Sequence, residues 1–133
     1  FPCPVYANHG YDYWRQDEEG RVVLGGWRNL DPDGERGHEE HTHPGIQERM
    51  TQYLRRYAGE DMKISHRWAG IMAFSRDGLP LVGAAPGSPG ALVGAGFTGH
   101  GFGFAWMAGY ALSQLVIEGR HPFSDLLSPR RFL

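Results

Sequence analysis

At residues 94–102 the chain reads Gly94-Ala95-Gly96-Phe97-Thr98-Gly99-His100-Gly101-Phe102, a glycine-dense turn between a short predicted strand and a long apolar helix. Glycine lets the backbone adopt left-handed conformations and lets a ligand approach it closely. The first N–H groups of a helix have no partner within that helix, so they can bind an anion or a polarised oxygen. The turn therefore predicts a ligand site, and helix packing alone is the alternative explanation for its glycines.

The spacing of Gly94, Gly96 and Gly99 also fits G-x-G-x-x-G, the dinucleotide-binding motif. That motif opens a βαβ unit and is followed, about 20 residues later, by an acidic residue after a second strand. Here the acidic residue, Glu118, ends the same predicted helix. We therefore predict that this turn closes a nucleotide-binding site instead of opening one.

The composition is that of a globular protein, with 41% hydrophobic and 21% charged residues and a net charge of −2. This charge gives no support to nucleic acid or an anionic membrane as a partner. The single cysteine, Cys3, excludes an internal disulfide and favours a reducing, cytoplasmic location. The 20 glycines are poor material for a self-sufficient core, so we expect the chain to be a fragment of a larger protein.

Hydrophobic periodicity and turn residues predict an α+β chain. The predicted strands cover residues 11–16, 21–26, 62–74, 79–83 and 91–93, and the predicted helices cover residues 44–57 and 101–118. The second helix is apolar nearly all round, which predicts burial on every side. Gly101, Ala105 and Gly109 form a small-residue stripe for close approach of another backbone. Ser113 and Gln114 interrupt the helix, so we predict no membrane span. The tail from residue 123 is predicted to be irregular.

Histidines suggest two further sites. The cluster from His38 to His43 lacks the H-E-x-x-H spacing of a zinc site and lies in a polar, glycine-rich segment. A solvated loop is therefore predicted, with no metal. His100 lies at the start of the second helix, where it either bonds a neighbouring loop or contacts a cofactor or substrate.

Three ordered motifs carry a resemblance to a known family. They are Trp68-Ala69-Gly70, the segment from Ser75 to Gly83 (Ser-Arg-Asp-Gly-Leu-Pro-Leu-Val-Gly), and Gly96-Phe97-Thr98-Gly99-His100-Gly101-Phe102. Together they resemble the C-terminal half of the DAO-type FAD-dependent amine and amino-acid oxidases, the group of glycine oxidase, sarcosine oxidase and γ-glutamylputrescine oxidase. The predicted hairpin at residues 11–26 is similar to one in the substrate domain of that family. The resemblance implies that residues 1–83 belong to a substrate domain and residues 84–133 close an FAD-binding domain.

The resemblance also implies a function: oxidation of a C–N bond in a small amine or amino acid to an imine, with hydride transfer to FAD. It places Gly96, Phe97, Thr98, Gly99, His100, Gly101 and Phe102 against the flavin, with His100 as the catalytic candidate. Tyr13, Trp68 and Met72 are the candidates for substrate contact. The implied partner is a missing N-terminal half that carries the dinucleotide motif, and without it we expect the fragment to be inactive.

The chain departs from the family pattern at three positions. Met72-Ala73 occupies the place of an Arg-Pro pair whose arginine binds the substrate carboxylate in many amino-acid oxidases of the group. Gly103 stands where sarcosine oxidases have a lysine, and their flavin-tethering cysteine falls near Gly70. The departures imply non-covalent FAD and favour an amine without a nearby carboxylate. The alternative function is a non-catalytic docking module built on the glycine-rich helix.

Overall fold

The structure, a computed structural model, describes residues 3–133 and divides them into two compact units between Ile71 and Met72. Antiparallel strands and helices make up both parts, so the predicted α+β class is confirmed. Residues 72–83 belong to the second unit, in which strand 81–84 pairs with strand 92–95. The assignment of the units to a substrate domain and an FAD-binding domain stays a prediction.

The first unit contains a three-stranded antiparallel sheet in the order β1 (Val5–Ala7), β2 (Asp12–Gln16) and β3 (Val22–Gly26). The predicted hairpin is present as β2 and β3. Its turn is held by Asp17, whose Oδ1 accepts hydrogen bonds from the N–H groups of Glu19 (3.1 Å) and Arg21 (2.8 Å). A side chain that satisfies the turn N–H groups in this way fixes the register of both strands.

Helix α1 (Pro44–Ala58) matches the predicted helix closely, because both of its ends are set by local chemistry. At the N-terminus, Nδ1 of His43 accepts a hydrogen bond from the N–H of Ile46 at 3.4 Å, and Pro44 supplies a pre-set φ angle. At the C-terminus, Gly59 takes a φ of +85°, which ends the helix.

One face of α1 carries an aromatic cluster with residues of the hairpin. The ring of Tyr53 lies 5.5 Å from Trp14 and 5.0 Å from Trp27, measured between ring centroids. Burial, together with a hydrogen bond to Tyr57, raises the pKa of Tyr53. Tyr57 lies in the last turn of the helix, and 64% of it is exposed.

The predicted strand over residues 62–74 is wrong except at its end, where Phe74 forms a single antiparallel bridge with Phe97. A strand needs a neighbour for its backbone N–H and C=O groups. Within residues 3–133 no such neighbour runs beside the earlier part of the segment. Arg67 instead donates a hydrogen bond from Nη1 to Oε1 of Gln47, at 2.6 Å.

The second unit consists of a hairpin and the long helix that packs on it. Strands β4 (Leu81–Ala84) and β5 (Leu92–Ala95) pair antiparallel, and helix α2 (Gly101–Glu118) ends at Gly119 with a left-handed φ of +71°, as predicted. The buried core consists of Val82, Ala108 and Ala111, against which Phe97, Leu112 and Leu127 pack.

The prediction that α2 is buried on all sides is wrong for the part of the chain that the structure describes. Only the face that carries Ala108 and Ala111 is buried, since the two-stranded hairpin covers only one side of the helix. Most of its large apolar side chains outside that face stay exposed, among them Phe102, Trp106, Val116 and Ile117. The small-residue stripe is also open, and a β-carbon added at Gly109 would meet no atom within 4 Å. Among residues 3–133, no helix has the length and apolar content that crossing a bilayer requires.

The C-terminal tail is ordered, contrary to the prediction. A short helix α3 (Ser124–Leu127) is followed by a 3-10 helix (Pro129–Phe132). Ser128 caps the 3-10 helix by accepting a hydrogen bond from the N–H of Arg130 at 3.1 Å. The tail lies against β4 so closely that a β-carbon at Gly83 would come within 3.3 Å of Cδ of Pro129. Capping groups and close packing together order the tail.

Candidate functional site

The turn between β5 and α2 uses left-handed backbone at three positions. Gly96 and Gly99 have φ angles of +65° and +82°, the conformation for which glycine is suited. Thr98 also has a positive φ, +52°, although it carries a β-carbon. A left-handed conformation costs a non-glycine residue roughly 1–2 kcal/mol, so other contacts must offset the strain at Thr98.

Hydrogen bonds from its backbone and its side chain hold Thr98 in that conformation. Its N–H donates to the carbonyl oxygen of Ala73 at 3.0 Å, and its hydroxyl donates to the carbonyl oxygen of Gly96 at 3.2 Å. The same hydroxyl oxygen accepts from the N–H of Ser75 at 3.3 Å. The turn is thereby fixed to residues 73–75, a support that the sequence analysis did not identify.

The N-terminus of α2 is open. No side chain caps it, in contrast to α1, and its first N–H groups, those of Gly101, Phe102 and Gly103, precede any acceptor within the helix. A depression of about 440 Å³ lies at this end of the helix and is lined by Gly99, His100, Phe102, Gly103 and Phe104. Added β-carbons at Gly99 and Gly103 would meet no atom closer than 3.9 Å. The backbone is therefore accessible to a flat ligand whose edge carries negative charge or a polarised oxygen.

His100 is exposed at the rim of this depression. Its Nδ1 lies 2.9 Å from the carbonyl oxygen of Thr98, and because that oxygen can only accept, Nδ1 carries the hydrogen. The bond fixes the ring to the turn and leaves Nε2 as the atom that can meet a ligand. The bond to the turn is thus compatible with either role anticipated for this histidine.

The candidate substrate residues lie in different parts of the chain. Met72 belongs to the second unit and is adjacent to the turn, since its Sδ is 3.9 Å from the position of a β-carbon on Gly99. Tyr13 lies on β2 and Trp68 in the segment after α1, both in the first unit and both exposed. Of the three, the structure brings Met72 next to residues 96–102.

One histidine of the cluster, His43, serves local structure. His43 caps α1, and its Nε2 lies 3.1 Å from Oδ2 of Asp31. His38 and His41 are exposed. In the described chain, residues 3–133, no three or more His, Cys, Asp or Glu side chains are grouped so as to hold a metal ion.

Comparisons with known proteins give a structural match and a family match. The chain is similar to the crystal structure of L-proline dehydrogenase from P. horikoshii, with 24% sequence identity and a TM-score of 0.72. The match covers 93% of this chain and 33% of that protein, so the chain spans about a third of its length. No curated protein sequence matches the chain. The family model described as FAD dependent oxidoreductase (DAO) matches residues 1–115, and the chain therefore belongs to the DAO family of FAD-dependent oxidoreductases.

Proposed function

We propose that the chain is part of an enzyme that oxidises a C–N bond of a small amine or amino acid to an imine and binds FAD non-covalently. The observation that carries the proposal is the uncapped N-terminus of α2, with its accessible backbone and its depression. Membership in the FAD-dependent oxidoreductases supports FAD as the ligand. When bound, FAD supplies the acceptor for the hydride that leaves the substrate carbon.

Residues 96–102 would hold the pyrimidine edge of the flavin. The N–H groups of Gly101 and Phe102, together with the positive end of the α2 dipole, favour negative charge at that edge. Because such charge is larger in the reduced ring than in the oxidised ring, these groups raise the tendency of the ring to accept hydride. The side-chain contacts of Thr98 keep the donors in place before any ligand binds.

His100 is the proposed catalytic residue. The bond from its Nδ1 to Thr98 holds the imidazole, so that Nε2 can accept or donate a hydrogen bond to the flavin edge or the substrate. A histidine with one nitrogen anchored in this way can hold a proton at the other without a change of ring orientation.

The proposed substrate is a small amine or amino acid, with Met72 as its contact beside the turn, while Tyr13 and Trp68 stay candidate contacts. Met72 and Ala73 occupy the positions of the carboxylate-binding Arg-Pro pair, which favours an amine that lacks a nearby carboxylate. The likeness to an L-proline dehydrogenase favours a small amino acid instead. An arginine supplied from outside residues 1–133 could bind the carboxylate of an amino acid, which would reconcile these two indications about the substrate.

The exposed apolar face of α2 favours the presence of a partner segment that covers it. Side chains such as Trp106, Val116 and Ile117 form an apolar surface that soluble proteins cover. We propose that the cover is the N-terminal half of the full protein, which would bring the dinucleotide motif that binds the adenosine and pyrophosphate of FAD. The same exposed face favours the alternative function, a non-catalytic docking module, because docking also needs such a surface.

Anaerobic reduction of the full-length protein tests the proposal. The purified protein, loaded with FAD, is mixed with primary amines, secondary amines and amino acids that include L-proline, and the flavin absorbance is followed. Loss of the oxidised flavin spectrum with one class, and formation of an imine or its hydrolysis product, is the expected result. A His100→Gln variant should bleach more slowly. A full-length protein that binds no FAD would support the docking module and overturn the proposal.

A further inference from the structure

Arg131, in the 3-10 helix of the tail, joins the tail to the segment that follows Phe74. Its guanidinium binds both carboxylate oxygens of Asp77, with Nε 2.7 Å from Oδ2 and Nη2 2.9 Å from Oδ1. Nη2 also donates to the carbonyl oxygen of Leu79 at 2.8 Å, and Nη1 donates to the carbonyl oxygens of Pro80 (3.2 Å), Leu127 (3.0 Å) and Ser128 (3.2 Å). The Arg131 side chain is 13% exposed and that of Asp77 is 35% exposed, so the guanidinium is largely covered while the carboxylate stays partly open to water.

The segment that Arg131 binds, residues 77–80, adjoins the residues that contact the glycine turn. Ser75, two positions before Asp77, donates its N–H to the hydroxyl oxygen of Thr98 at 3.3 Å. Leu81 follows Leu79 and Pro80, whose carbonyl oxygens bind Arg131, and its side chain lies 3.5 Å from the position of a β-carbon on Gly96. Residues 75–81 therefore contact Arg131 on one side and the turn at Gly96 and Thr98 on the other.

We propose that Arg131 is a positioning residue for the flavin site: by fixing residues 75–81 it fixes the left-handed turn at residues 96–99. The inference rests on the proposed function for its consequence, since only a turn that binds flavin makes the position of Arg131 matter to catalysis. The contacts between Arg131, residues 75–81 and the turn do not depend on the proposed function. A bidentate arginine–carboxylate pair has the directional rigidity that this task needs, and lysine would supply only a point charge.

The chemistry predicts what happens when the guanidinium is removed. Asp77 and the four carbonyl oxygens lose their common donor, so residues 75–81 lose the contact that anchors them to the tail. Fewer fixed neighbours then hold Thr98 at its strained positive φ, so the turn samples other conformations. The tail residue thereby acts on the turn without touching a ligand.

The test compares Arg131→Met with Arg130→Met in the full-length protein. Arg130 is the exposed neighbour and serves as the matched control. The first measurement is amide hydrogen exchange in the FAD-free protein, read at the N–H groups of Thr98 and Ser75. The second is the dissociation constant for FAD, and the third is the midpoint potential of the bound flavin. Asp77→Asn, which keeps the shape of the side chain, is the second variant in case Arg131→Met does not fold.

In Arg131→Met and in Asp77→Asn, exchange at Thr98 and Ser75 should accelerate. The FAD dissociation constant should rise about tenfold if the turn keeps its binding conformation in roughly one molecule in ten, because the apparent dissociation constant scales inversely with the competent fraction. The midpoint potential should become more negative because fewer donors meet the reduced ring. Arg130→Met should match the wild type in all three measurements. Faster exchange confined to the tail and residues 77–80, with Thr98 unchanged, would overturn the inference.

The outcomes also separate this inference from the proposed function. A wild-type protein that binds no FAD, but whose Thr98 exchange still responds to Arg131→Met, would overturn the flavin assignment and leave the positioning role supported. A wild-type protein that binds FAD with the same affinity and potential as Arg131→Met would overturn the positioning role and leave the flavin assignment intact.

Discussion

The substitution Gly99→Val tests whether the left-handed turn is needed to hold flavin. Gly99 has a φ of +82°, and a β-carbon added there would first meet Sδ of Met72, at 3.9 Å. That distance is ordinary van der Waals contact. The β-carbon of the substituted residue therefore strains the backbone without a steric clash of its own, and the expected effect is calculated from that strain.

The strain can be converted into an expected loss of affinity. A left-handed conformation costs a residue with a β-carbon roughly 1–2 kcal/mol, and valine falls at the upper end because it is β-branched. About 2 kcal/mol corresponds to a factor of roughly 30 in an equilibrium constant. If only the left-handed turn binds FAD, the dissociation constant of the full-length variant should rise by about that factor, since the competent population falls by it.

A second glycine provides a matched control. Gly87 has a φ of +74°, and a β-carbon there would meet no atom within 4 Å, but it lies in the loop at the opposite end of the β4–β5 hairpin. Gly87→Val should lower the thermal midpoint as much as Gly99→Val does, and should leave FAD affinity unchanged. Titration of FAD into each protein, followed by flavin fluorescence, gives the two dissociation constants. Wild-type affinity in Gly99→Val, or equal losses in both variants, would refute the role of the turn.

Two further predictions concern stability. Arg131 holds the pKa of Asp77 well below its usual range, mainly through their hydrogen bonds, so the pair stabilises the fold above the ordinary carboxyl pKa of about 4 and is lost as the pH falls below it. Asp77→Asn should therefore be less stable than wild type at pH 7 and show a shallower acid decline in thermal midpoint; parallel acid declines would contradict this. Val82 is 2% exposed in the core, so Val82→Ala should lower the free energy of unfolding, measured with urea, by about 2 kcal/mol. An unchanged urea midpoint would contradict the packing of Val82.

Local signals in the sequence were sufficient for several elements. Pro44 and Gly59 mark the ends of α1, and Gly119 marks the end of α2, because each conformation is decided by neighbouring residues. The same holds for the β2–β3 hairpin and for the glycine turn, where the density of glycine predicted a turn between a strand and a helix.

Features that depend on distant contacts could not be predicted in this way. Helix α2 carries apolar residues on nearly all of its faces. The hydrophobic periodicity therefore gave no indication that only the face with Ala108 and Ala111 is buried. Residues 62–73 have strand-forming composition but no partner strand within the described residues. The pairing of Arg131 with Asp77 joins residues far apart in the chain, and no spacing rule predicts it.

The central claim is that the N-terminus of α2 holds the flavin, and amide hydrogen exchange of the full-length protein with and without FAD tests it most directly. FAD should slow exchange at Gly101, Phe102 and Gly103, whose N–H groups gain an acceptor, and should leave the Asp17–Gly20 turn unchanged. Binding of FAD without any slowing at residues 101–103 would contradict the account.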